Sequence, residues 1–190
     1  IISSLPRWLL HTRAQIVIPS VWERFLPHLV SDIITDHLNI QVSDRLIPLP
    51  DHGGRLSLSD SEIIVLPAHF LHSIGNFSFY DVHARILFSG DIGSSAANQS
   101  SGFVSDFEAH TAAMAPFHQR YMCSNLAARY WVAMVRRLDV NMIIPQHGPG
   151  FSDPVMIEKF LSWLELLPTG LDVLDPNLYQ IPKKTDDNFR

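Results

Sequence analysis

Three residues of this chain have types and spacing that could do chemistry. His72 stands in HFLHSIGNFSFY, Asp91 in ILFSGDIG and His147 in IIPQHGPG. Each lies at the end of an apolar run and beside a glycine-bearing turn, the place where loops leave a rigid sheet and sites are assembled. Neutral imidazole nitrogen suits iron or zinc, and a carboxylate can bridge two such ions. A lone histidine near apolar sequence is more often a satisfied core or surface residue. Asp91, followed by Ile92 and Gly93, can equally be a turn residue. The threefold repetition of the same context is what points to a divalent metal.

The elements that must position these residues can be read from period and punctuation. Buried or alternating apolar runs predict strands over residues 14–18, 45–49, 55–58, 62–66, 77–80, 85–88 and 140–144. Gly53–Gly54 and residues 81–84 read as hairpin turns. A helix is predicted over residues 20–30, opened by a capping box of Ser20 and Glu23. Residues 106–120 read as a second helix, with His110, Met114 and His118 on one face. Ser124 caps a third running to about Leu138, with Leu126, Tyr130, Ala133, Met134 and Leu138 in a stripe. Asp153 and Pro154 open a last helix that Pro168 and Gly170 close, and residues 182–190 form a polar tail. Pattern alone gives a mixed α/β domain.

Composition narrows the function class. In 190 residues, 46% apolar and 17% charged, there is material for one sizeable core. A net charge of −5, with Lys159, Lys183 and Lys184 the only lysines, argues against a nucleic-acid partner. The single cysteine, Cys123, excludes an intrachain disulfide, suits a reducing compartment and reads as a small buried residue. Apolar runs fall short of a membrane span, and no secretory signal is visible, which makes cytoplasm the default expectation. No G-x-S-x-G, G-x-x-x-x-G-K or G-x-G-x-x-G is present. Cys123 and His118, five residues apart, would not face each other on a helix, and the serines at 94, 95, 100 and 101 read as a loop.

The run PAHFLHSIGNFSFYDVHARILFSGDIG, followed more than fifty residues later by IIPQHG, resembles the metallo-β-lactamase-type domain of flavodiiron proteins. The similarity is greatest to their flavin-free, oxygen-binding diiron relatives, and it extends to FHQRYMCSNLAARYW at residues 117–131. In that family a His, an Asp nineteen positions on and a distant His in a P-x-H-G turn bind two irons, an order that His72, Asp91 and His147 match. The resemblance implies an αββα sandwich, with Asp91 bridging and one histidine on each iron. His69 falls outside the ligand position and is implied to be structural or supporting. His110 and His118 could touch the metal pocket or relay protons, or equally form a solvated helix face, while Tyr121 and Asn76 are candidates for orienting ligands or bound oxygen.

The same family carries an N-terminal H-x-[E/D]-x-D motif that occurs nowhere in this sequence, while IISSLPRWLL resembles the segment following it. The expectation is a single partial domain over residues 1–190, its N-terminal part missing, with no flavodoxin domain and no FMN. If Ile1 or Ile2 takes the place of a further histidine ligand, one iron keeps an open position for O₂ or water. Two functions follow. One is a diiron domain that binds, senses or reduces O₂, served by a separate electron donor or signalling domain and able to form a homodimer. The other is a dizinc hydrolase of a lactone, thioester or phosphodiester, whose metals activate a bridging water. A scaffold with a vestigial site is a third, non-enzymatic reading.

Overall fold

The computed structural model describes residues 4–29, 42–96 and 102–181. Its elements in chain order are α1 (Leu5–His11), β1 (Ile16–Pro19), β2 (Leu46–Leu49), β3 (Gly54–Leu58), β4 (Ser61–Pro67), β5 (Phe77–Asp81) and β6 (Ile86–Gly90). They continue with α2 (Phe107–Tyr121), α3 (Asn125–Val135), β7 (Met142–Pro145) and α4 (Pro154–Leu166). Strands β1 and β2 pair in parallel as a small sheet, and β3-β4-β5-β6-β7 form a larger one.

Side-chain alternation along the strands sets the layers. On β4 and β5, Leu66 and Tyr80 face a core shared with Met114 of α2, Trp131 and Val132 of α3, and Phe160 and Leu164 of α4. The alternate residues Val65 and Phe77 pack with Leu49 and Val17 of the small sheet. The outer face of the small sheet, through Ile16 and Leu46, packs against Leu5 and Leu9 of α1. The order is therefore helices, sheet, sheet, helix, an αββα sandwich. Within the main core Trp131 donates its indole N–H to the buried hydroxyl of Ser78 at 3.1 Å, so neither polar group is stranded.

The turn at residues 81–84 is built as its sequence predicts. The carboxylate of Asp81 accepts from the amides of His83 and Ala84, both at 2.9 Å. Ser124 and Asp153 cap α3 and α4 by accepting from the first free amides.

Five expectations are corrected. Residues 20–29 form two 3₁₀ turns, Ser20–Trp22 and Leu26–Leu29, and residue 30 lies outside the described residues. Pro27 offers no amide to a helix ladder, and Ser20 donates its hydroxyl to the carbonyl of Leu49 at 2.5 Å in place of a capping box. Gly53–Gly54 joins the two sheets and makes no hairpin, because β2 and β3 pair with different partners. The buried face of α3 is Ala128, Trp131, Val132 and Val135, and Leu126 and Tyr130 are exposed; the Trp131–Ser78 bond fixes that rotation. Cys123 is exposed, the neighbouring Met122 taking the core position. Ser94 and Ser95 lie in the loop after β6, as their sequence predicts, and are buried, whereas residues 100, 101 and 182–190 lie outside the described residues.

Candidate metal centre

Strand direction brings the three candidate donors to one edge. β5 is antiparallel to both β4 and β6, and β7 is parallel to β6, so β4, β6 and β7 all point the same way. His72 lies on the loop leaving β4, Asp91 immediately follows β6, and His147 comes two residues after β7. The ends of β6 and β7 are stitched together: the amide of Gln146 donates to the carbonyl of Gly90 at 2.7 Å, and that of Ser95 to the carbonyl of His147 at 3.2 Å. Gly90 has φ +65° at a register shift between β6 and β7, a conformation glycine adopts without strain.

His72 and His147 are exposed and Asp91 is half-buried. The imidazole of His72 stands edge-on to Tyr121, with ring centroids 5.0 Å apart, and to Phe117 at 6.0 Å. Phe117 was not singled out from the sequence as a site residue, although its spacing of four from Tyr121 puts both on one helix face. Asn76 donates its side-chain amide to the carbonyl of Leu71, which closes the His72 loop from within, and it borders Gly90.

The other histidines have different surroundings. His69 bonds through Nε2 to the carbonyl of Asp51 at 2.7 Å and packs on Phe77. His110 lies beside Phe151, with Nε2 buried and unpartnered, and burial lowers its pKa. His118 is fully buried and receives the amide of Gly93 on Nε2 at 2.9 Å, while Nδ1 reaches the carbonyl of Met114 at 2.9 Å. Desolvation pushes its pKa down to about 4, which keeps it neutral.

Two imidazoles and a carboxylate are a donor set that iron accepts, and the chemistry of these residues fits the expected ions. Among the described residues, however, no three His, Cys, Asp or Glu side chains close into a group that could hold a metal. His72, Asp91 and His147 occupy adjoining loops of one edge, short of a closed cluster.

A layered sandwich with donor-bearing loops on one edge of a sheet defines a metallo-β-lactamase-like protein. Residues 1–148 match the family described as ODP family beta lactamase, and the chain belongs to that family. The chain is similar to the apo state of chemotaxis sensor ODP from T. denticola, with 41% identity and a TM-score of 0.82 over 94% of this chain and 69% of that one. It is similar also to the peroxy diiron species of chemotaxis sensor ODP, with 42% identity and a TM-score of 0.78 over 90% and 67%. Rubredoxin oxygen:oxidoreductase from Desulfovibrio gigas shares the fold, at 15% identity and a TM-score of 0.67 over 86% and 40%. No curated protein sequence matches the chain. No helix among the described residues is long and apolar enough to cross a membrane.

Proposed function

We propose that this protein is a non-haem diiron domain that binds and senses O₂, with His72 and His147 each donating to one iron and Asp91 bridging the pair. The single observation that carries the reading is an identity of 41–42% over nine-tenths of the chain to structures of the chemotaxis sensor ODP, one of them a diiron species. When bound, two ferrous ions supply the two electrons that a molecule of O₂ takes up. The chain's own contribution is positional: the Gln146–Gly90 and Ser95–His147 bonds hold the Asp91 and His147 segments together. Phe117 and Tyr121 restrict the ring of His72 from one side.

The same reading takes residues 1–190 as one metallo-β-lactamase-like domain acting in the cytoplasm. Its partners are O₂ and a separate electron donor or signalling domain, and it can pair as a homodimer. The test is to count iron and zinc per chain in natively expressed protein, load Fe(II) anaerobically and follow the absorption spectrum as air is admitted. Near two irons per chain and a spectral change on aeration are expected. Zinc alone, with hydrolysis of a lactone, thioester or phosphodiester and no response to air, would replace the proposal with the hydrolase.

A further inference from the structure

We infer that His118 is a positioning residue for the candidate metal edge: its imidazole fixes the segment from Asp91 to Ser95 by accepting the Gly93 amide. The inference rests on the diiron reading above. Gly93 has φ +91°, and a Cβ placed there would meet the rings of Phe160 and Phe151 at 3.2 and 3.3 Å. Its backbone therefore runs hard against the core, with its amide pointing to where no strand supplies an acceptor. Nε2 of His118 is that acceptor at 2.9 Å, and the bond from Nδ1 to the Met114 carbonyl sets the tautomer that leaves Nε2 its lone pair. Trp163 and Phe117 stand edge-on to the ring, at centroid distances of 5.4 and 5.6 Å, and oppose its rotation. With both nitrogens committed, His118 is a support and no ligand.

The anchor reaches the donors at both ends of the turn it holds. The amide of Ser94 returns to the carbonyl of Asp91 at 3.1 Å, and that of Ser95 reaches the carbonyl of His147 at 3.2 Å. On the same turn of α2, Phe117 and Tyr121 contact His72. One helical turn thus touches, directly or through Gly93, every segment that carries a candidate donor. Groups that orient metal ligands typically alter affinity about 10–100-fold when removed.

The test compares His118→Phe, which keeps the ring and removes the acceptor, with His118→Gln, whose side-chain oxygen can take the place of Nε2. The metal-free proteins are checked for folding by circular dichroism, and hydrogen exchange at the Gly93 amide is read by NMR. Fe(II) affinity is then titrated anaerobically. The wild type is expected to protect Gly93; His118→Phe should lose that protection and about 10–100-fold in Fe(II) affinity, and His118→Gln should recover most of both. A folded His118→Phe with unchanged Gly93 exchange and Fe(II) affinity overturns the inference, as does a folded His118→Gln that rescues neither. If the variant does not fold, His118→Gln alone decides. Should the wild type bind no Fe(II), the diiron reading fails and the positioning role in metal binding fails with it, while Gly93 exchange still reports separately whether the anchor exists.

Discussion

The amide of Gln146 donates to the carbonyl of Gly90 at 2.7 Å, so the residue before His147 is tied to the residue before Asp91. This bond continues the β6–β7 ladder past its register shift, and it leaves the two side chains little freedom to separate. Perturbing either turn should therefore be felt at both.

Gly148→Ala tests the turn behind His147. Gly148 has φ +85°, and a Cβ there would sit 2.2 Å from the hydroxyl of Ser95 and 3.3 Å from its carbonyl. A loss of about 2–3 kcal/mol in chemical denaturation is expected from combined backbone strain and clash. Adding Ser95→Ala should restore only part, because it removes the hydroxyl and leaves φ unchanged.

His147→Ala and Asp91→Ala test the proposed ligand roles. Each should lower the iron bound per chain from about two, with Asp91→Ala the more damaging because a bridging carboxylate serves both ions. Unchanged iron content after either substitution, measured by elemental analysis, would show that the residue is not a ligand.

Acid should weaken the metal-free protein through His118. Desolvation lowers its folded-state pKa from 6.5 to about 4, so the unfolded chain binds the proton first as pH falls. The stability contribution is complete above about pH 6.5 and is lost as pH falls from there towards 4. The full shift corresponds to about 3 kcal/mol at most. Denaturant midpoints at pH 7 and pH 5 should differ in the wild type and differ less in His118→Gln.

Trp131→Phe should cost about 1–3 kcal/mol, since it strands the buried Ser78 hydroxyl and thins the core. A double-mutant cycle with Ser78→Ala should show coupling, the double variant losing less than the sum of the two single changes.

Much of the fold was legible because local chemistry decided it. Phe77 and Phe79 alternate with Ser78 and Tyr80, which specifies a strand with two different faces, and Asp81, Ser124 and Asp153 each carry an oxygen where free amides need one. The misread pieces were decided at a distance. Ser20 bonds a carbonyl 29 positions away, and Trp131 turns α3 towards a serine 53 positions away. For the site, His72, Asp91 and His147 were visible as residue types in a repeated context. Their common edge follows from the parallel run of β4, β6 and β7, which no local pattern announces. The link from His118 to Gly93 was hidden because its partner is a backbone amide, identical in every residue but proline.

The parallel pairing of β6 with β7 also orders events in time. Ile86 lies against Met142, so a long stretch of chain, with α2 and α3 inside it, must be made before that ladder can close. Until it closes, His147 has no fixed relation to Asp91. On the proposed diiron reading, iron could be held at this edge only after that ladder has closed.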